Sequence, residues 1–227
     1  MERLRPNDVN VCLYHICHEE ECDRFRYGTA IGGTPLRYYI GRVKNVELNI
    51  VKQLLTRAPG ALFTTDSETK CTPLMTMMWN KNIGKMKDIV QYIVEAYPES
   101  VHNKDCYDQI PIHLACSNGT VTSEIISILL QAWPESIHQK DTMECLPIHH
   151  LCVATIEEMD TEESLKVLRL LLDAYPNSVY QTDDAEGSLP LHSAAGALKG
   201  PKFCEVLVGA YPEAVQVKDG CDQLPII

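Results

Sequence analysis

The sequence predicts an all-α chain of stacked helical hairpins with projecting β-hairpin loops, and three recurrences predict it. A Pro that follows Thr or an aliphatic residue and precedes Leu or Ile recurs as Pro35, Pro73, Pro111, Pro147 and Pro190. A second Pro closes an Ala-Tyr or Ala-Trp pair at Pro98, Pro134, Pro176 and Pro212, and Pro59 stands at the same phase. An Asp follows each closing Pro by seven residues: Asp66, Asp105, Asp141, Asp183 and Asp219. The distance from a closing Pro to the next opening Pro is 13 or 14 residues throughout. Self-similarity at a fixed period is the mark of a repeat array, in which each unit buries its apolar face only against its neighbours.

The first 33 residues do not follow this frame. Asp8 is placed to cap a short helix through VNVCLYHICHEEE, with Leu13, Ile16 and Cys17 on one face. The polar stretch from Cys22 to Gly33 then reads as a loop. Residues 1–33 are therefore expected to form an N-terminal capping segment, and residues 34–227 the array. Five units open at Pro35, Pro73, Pro111, Pro147 and Pro190, and a sixth opens at Leu224-Pro225-Ile226, where it is cut short.

Within each unit the opening Pro suits the first position of a short helix, since it has no N–H to waste and its φ is preset. A polar turn such as Ser117-Asn118-Gly119 follows, then a second helix with an aliphatic stripe, as in Ile125, Ile126, Ile128, Leu129 and Leu130. The closing Pro drives its predecessor out of the α region and ends that helix. The residues beyond it, such as ESVHNKDCYDQI, are expected to be extended and turn-like. The fourth unit carries an acidic insertion around Thr155 to Glu163, and Asp160 with Glu163 has capping-box spacing for its second helix. The insertion reads as a solvated loop or as a contact for basic residues.

Composition narrows the function. The 227 residues are 45% hydrophobic, enough for a continuous core, and no run of about 18 apolar residues predicts a membrane span. The N-terminus lacks the apolar block of a secretory signal. Among ten Cys, Cys116 and Cys152 each sit five residues after an opening Pro, where a small buried residue fits. Reduced thiols and a cytoplasmic or nuclear location are expected, and the Asn118-Gly119-Thr120 sequon then stays idle. The formal net charge is −11. It is uneven: residues 1–57 hold nine Lys/Arg against seven Asp/Glu, and residues 58–227 hold 11 against 24. That surface disfavours nucleic acid and anionic lipid and favours a basic partner, although solubility alone also explains it.

Paired short helices, a projecting loop with its Asp, and a return to Pro-Leu-His resemble the ankyrin repeat. The residues that carry the resemblance are Pro111-Ile112-His113-Leu114-Ala115-Cys116, Pro147-Ile148-His149 and Pro190-Leu191-His192-Ser193-Ala194-Ala195. The helix-end pairs Leu129-Leu130 and Leu171-Leu172 and the five Asp residues add to it. The likeness covers residues 34–227 and is weaker in units one and two, where Arg37 and Met75 replace the His.

The departures from the pattern are systematic. Ile110, Leu146, Leu189 and Leu224 stand where a Thr is usual, which removes a capping hydroxyl. Pro ends the second helix in place of Gly, preceded by Tyr97, Trp133, Tyr175 and Tyr211, which are expected to stack unit on unit. The loop Gly survives only as Gly187 and is Asp108, Glu144 and Asp222 elsewhere; Asp tolerates a left-handed turn and Glu does so poorly. The Leu-Pro-Leu-His and Ala-Tyr-Pro signature resembles that of an ankyrin-repeat variant found in algal and other protist proteins.

The resemblance implies that His113, His149 and His192 brace the adjoining loop. Their identical neighbours by phase leave no unique base or nucleophile for catalysis. Cys12, His15, Cys17, His18 and Cys22 crowd one stretch but lack a second half with ligand spacing. Cys145, His149, His150 and Cys152 form a second group, two of whose members already have repeat roles. No metal, cofactor or small-molecule substrate is assigned. No phosphate loop, nucleophile elbow or zinc-protease motif occurs, and no enzyme activity is expected.

The resemblance implies instead a scaffold that binds a protein through hairpin tips and the exposed, concave surface of the first helices. Carried over, the tips are Lys104, Cys106, Tyr107 and Gln109; Lys140, Thr142, Met143 and Cys145; and Asp184, Ala185 and Ser188. The helix positions are Ser117 and Asn118, Val153 and Ala154, and Gly196 and Ala197. Tyr107 and Met143 stand out as apolar residues at exposed phases, suited to an interface core or to packing on each other. Two other readings are a regulatory or targeting segment of a larger protein, and a metal- or redox-responsive module built on the N-terminal Cys/His group.

Overall fold

A computed structural model describes residues 34–154, 161–183 and 187–225, so the expected capping segment and its Cys/His group lie outside the described residues. Among these residues ten α-helices form in pairs. The first helices are α1 (Pro35–Arg42), α3 (Pro73–Met78), α5 (Pro111–Ser117), α7 (Pro147–Val153) and α9 (Pro190–Gly196). Their partners are α2 (Leu48–Arg57), α4 (Lys87–Ala96), α6 (Ser123–Ala132), α8 (Glu162–Ala174) and α10 (Pro201–Ala210). Each first helix packs on the first helix of the next unit, and each second helix on the next second helix. The two rows enclose one continuous core, to which Leu36, Leu74, Ile112, Ile148 and Leu191 contribute from one row and Val51, Ile93, Leu129, Leu168 and Leu207 from the other.

All five first helices start at their Pro, as expected. In α1 and α3 the preceding Thr34 and Thr72 accept the N–H of Arg37 and Met75. In the later units that hydroxyl is absent, and a histidine at the third helical position bonds the residue before the Pro instead. The Nδ1 atoms of His113, His149 and His192 accept the N–H of Ile110, Leu146 and Leu189 at 3.1, 3.1 and 3.2 Å. Their Nε2–H groups donate to the carbonyls of Gln139, Gln181 and Val217 at 3.0, 3.1 and 3.1 Å. Accepting at one nitrogen while donating from the other requires a neutral ring. Burial supplies the condition, pushing His113 down to about 4 and His149 below the ordinary imidazole range. In the first unit Arg37 reaches the following loop by other means, placing Nη2 3.4 Å from the Asp66 carboxylate.

The residues before the closing Pro have φ between −139 and −148° and ψ between 72 and 89°, outside the helical region. Beyond them the expected extended stretch is not found. Each closing Pro instead begins a five-residue 3₁₀ helix: Pro59–Phe63, Pro98–His102, Pro134–His138, Pro176–Tyr180 and Pro212–Gln216. The φ that proline presets suits a first helical position as well as a helix end.

This turn organises the aromatic seam. Tyr97, Trp133, Tyr175 and Tyr211 are half-buried and stack on the last 3₁₀ residue of the preceding unit, save that Tyr211 meets Tyr180 and Tyr97 meets Phe63 where the others meet a histidine. The pairs Phe63–Tyr97, His102–Trp133, His138–Tyr175 and Tyr180–Tyr211 have ring centroids 4.4, 4.3, 4.2 and 4.4 Å apart. An aromatic pair contributes roughly 0.5–1.5 kcal/mol beyond its area, so four of them reinforce every junction between units.

Asparagine clamps add to the stacking. The Asn80 amide donates to the carbonyls of Ile40 and Val43 at the end of α1, at 2.8 and 3.1 Å. The Asn118 amide does the same one unit on, reaching Met78 and Asn80 at 2.7 and 3.0 Å. At the equivalent place in the fourth unit stands Ala154, whose carbonyl accepts from the Lys199 ammonium of the fifth. The α8 cap is Thr161, which accepts the Ser164 N–H at 3.0 Å, and not Asp160 as its spacing suggested. Glu163 serves the neighbouring unit instead, accepting the Ser123 N–H at 2.6 Å at the start of α6. Residues 155–160 of the acidic insertion lie outside the described residues.

Candidate functional site

The projecting loops were expected as β-hairpins, but no strand forms among the described residues. Each loop is closed by its Asp. The Asp N–H donates four residues on at Asp105 and Gln109, Asp141 and Cys145, and Asp219 and Gln223, at 3.0, 3.1 and 2.9 Å. In the two loops longer by one residue it donates five on, from Asp66 to Cys71 and from Asp183 to Ser188. The carboxylate folds back on the same turn. Asp105 Oδ1 accepts from the N–H of Tyr107 and Gln109 at 2.8 and 2.9 Å, and Asp141 Oδ1 from Met143 and Cys145 at 2.9 and 3.0 Å. Short polar side chains that bond their own backbone in this way fix a turn without a ladder.

The left-handed residue of every loop is where the repeat phase puts it: Lys70, Asp108, Glu144, Gly187 and Asp222 have φ between 56 and 63°. Three of these non-glycine residues are steadied by a lysine four residues earlier. Lys104 meets Asp108 at 3.5 Å, Lys140 meets Glu144 at 2.9 Å and Lys218 meets Asp222 at 3.2 Å. Exposed pairs of this kind contribute roughly 1 kcal/mol or less. They still occupy Lys104 and Lys140, which were offered as contacts. Successive loops are tied together by backbone: Cys106 N–H donates to Thr69 O, and Thr142 N–H to Tyr107 O, both at 3.0 Å.

Against this geometry the expected contact residues divide. Tyr107 and Met143 are 62% and 50% exposed on adjacent tips, and Cys106, Thr142 and Ser117 are exposed with them. Val153, at the end of α7, is 51% exposed. Four candidates are corrected. Asn118 is spent on the clamp to the second unit, and Ala154 is buried at the equivalent place. Ser188 is buried with its N–H on Asp183, because the longer loop draws that residue inward. Gln109 is half-buried and donates to Asp141 Oδ2 at 3.3 Å. Gly196 and Ala197 are exposed at the end of α9, whereas Asp184 and Ala185 lie outside the described residues.

The structure also brings Asp141 to two members of the second Cys/His group. His150 Nε2 donates to Asp141 Oδ2 at 2.8 Å, and the Cys145 thiol lies in the same group, with all three ligand-type atoms within 4.8 Å of one another. The His150 ring stands edge-on to His113, with centroids 5.2 Å apart. The group read from sequence, Cys145 with His149, His150 and Cys152, does not form as such. His149 is committed to Leu146 and Gln181, and Cys152 is fully buried. Consecutive helical residues point about 100° apart, so His149 faces inward while His150 faces the loop carboxylate.

Burial opposes the charged form of Asp141, but bonds from His150, Cys145 and Met143 outweigh it and hold the carboxyl well below the usual carboxylate range. Burial, reinforced by the charges of Asp141 and Asp183, pushes the Cys145 thiol up to about 12. A thiol so placed is a poor nucleophile at neutral pH. Among the described residues no helix is long and apolar enough to cross a membrane. No protein-family model matches the chain, and no curated protein matches it in sequence.

Proposed function

We propose that the chain is an ankyrin-type repeat scaffold that binds a protein partner, without catalysis of its own, through its loop tips and the exposed ends of α5 and α7. One observation carries the reading. Tyr107 and Met143 present apolar surface on adjacent tips held at fixed separation by the Thr142–Tyr107 backbone bond. Aromatic residues and Met are favoured at the centres of protein interfaces, and anchors on a rigid frame lose little entropy on binding. Ser117 and Val153 are exposed at the ends of α5 and α7. The excess of Asp and Glu over residues 58–227 favours a basic partner surface. Such a scaffold would work in the cytoplasm or the nucleus, where its thiols stay reduced.

The test is affinity capture from the source lysate with wild-type chain and with Y107A and M143A. Neither side chain is buried, so the variants are expected to keep the wild-type circular dichroism and melting temperature while losing most of the captured protein. Equal capture by all three would remove the tips from the binding surface.

A further inference from the structure

We propose that Asp141, Cys145 and His150 form a binding site for a zinc ion, supplying one oxygen, one sulfur and one nitrogen ligand. The donor set selects the metal. Calcium and magnesium take oxygen ligands, whereas a mixed thiolate, imidazole and carboxylate set suits zinc. Bond lengths of about 2.0–2.3 Å in a tetrahedral shell put ligand atoms roughly 3.3–3.7 Å apart. Here the three atoms lie within 4.8 Å of one another, and the closest pair, Asp141 Oδ2 and His150 Nε2, is at 2.8 Å. Side-chain adjustment of about an ångström converts the hydrogen-bonded group into a shell with one position left for water.

The array itself isolates this loop. Asp141 recurs in every unit and Cys145 recurs only as Cys71, but His150 does not recur. Gln109, Ser188 and Gln223 stand at the other places of Cys145, and Thr76, Leu114 and Ser193 at the place of His150. Among the described residues a thiol and an imidazole thus meet the repeating carboxylate in this loop alone. Asp141 Oδ1 is held by two backbone N–H groups, which fixes the carboxylate and turns Oδ2 toward the imidazole. Cys145 and His150 are both partly exposed, which leaves a path for the ion. Asp141 and Asp183 bring negative charge to the thiol, and a divalent cation reverses that penalty. On binding, the S–H bond of Cys145 breaks and its proton passes to buffer, the His150 proton leaves Nε2 and the ring keeps a proton on Nδ1, and the lone pairs freed on sulfur and Nε2 form the bonds to zinc. His113 cannot be a fourth ligand while both its ring nitrogens hold backbone groups.

The full chain, reduced with a phosphine, is titrated with cobalt(II) as a spectroscopic substitute and then with zinc(II). The wild type is expected to develop a thiolate-to-cobalt charge-transfer band at one equivalent and to lose it on adding zinc. C145S and H150Q, checked for folding by circular dichroism, are expected to lose the band, with zinc affinity falling by more than about tenfold. A C17S/H18Q chain is expected to keep it, which separates this site from the N-terminal Cys/His group. No band in the wild type, a band that survives in C145S and H150Q, or one lost only in C17S/H18Q overturns the assignment.

Discussion

The loops around Asp105 and Asp141 have the same backbone and differ in the side chains that reach them. Both carboxylates accept two N–H groups of their own turn at nearly equal distances. The loop at Asp141 is met by His113 and His150; Met75 and Leu114 stand at the same repeat positions for the loop at Asp105 and carry no hydrogen-bonding side chain. His113 holds the Gln139 carbonyl and His150 holds the Asp141 carboxylate. The two carboxyls respond in opposite directions. Burial raises Asp105 above its ordinary value despite its backbone bonds, whereas the imidazole and backbone bonds carry Asp141 below. The repeat therefore sets the shape of a loop, and the one or two residues that vary set its chemistry.

Acid should separate the two loops most strongly. His113 is neutral when folded down to about pH 4, whereas an unfolded imidazole protonates near 6.5. The unfolded chain takes up that proton first, so stability is full above pH 6.5 and falls as the pH drops toward 4. Two and a half pH units at about 1.4 kcal/mol each make the loss on the order of 3 kcal/mol. His149 adds in the same direction. The contribution of Asp141 is present above about 3.8 and fades only at lower pH, while the raised Asp105 works the other way, gaining stability as it protonates. His113→Met, which imports the residue of the second unit, should cost about 2 kcal/mol at pH 7.5 by leaving the Ile110 N–H and Gln139 carbonyl unpaired. It should also flatten the loss between pH 7.5 and 4.5. Urea midpoints of the two chains at those pH values check both, and parallel losses would remove His113 as the source.

A smaller contrast compares the carboxylates directly. Asp141→Ala loses four bonds to a carboxylate, including those from His150 and Gln109, and Asp105→Ala loses two, so the first should cost roughly 1–2 kcal/mol more than the second at pH 7. Equal urea midpoints would mean that His150 and Gln109 add nothing to the fold.

The smallest effect is the most specific. His150→Leu gives the fourth unit the residue of the third and should cost about 1 kcal/mol. Carboxyl chemical shifts followed by NMR should then show Asp141 titrating above the ordinary carboxylate range, like Asp105. An Asp141 that stays depressed would assign its low value to the backbone bonds alone.

Much of the architecture was legible because Pro, Asp and His act locally. The opening Pro sets a helix start, the Asp seven residues past the closing Pro caps its own turn, and the phase of Gly187 locates the left-handed residue even where Asp108 or Glu144 occupies it. What escaped the sequence depends on groups brought together across units. The 3₁₀ helices were missed because a closing Pro ends one helix and begins another with the same preset φ. The aromatic rungs were half seen: Tyr97 and Trp133 announce themselves, but exposed His102 and His138 do not read as stacking partners. Asn118 was taken for a free contact because its role shows only beside Asn80, in the unit that matches the pattern least. The exposed tips lie where the phase puts them, but the approach of Asp141 to Cys145 and His150 does not show in the sequence, where the adjacent His149 points to the other face of α7.

The backbone bonds from Cys106 to Thr69 and from Thr142 to Tyr107 have a further consequence. They make the row of tips a ruler whose divisions are set by peptide geometry and not by side chains. A partner laid along it must match the increment as well as the chemistry of each mark. The loop from Asp66 to Cys71, longer by one residue, keeps its tie to Cys106 through Thr69, so the spacing of the marks survives a change in loop length.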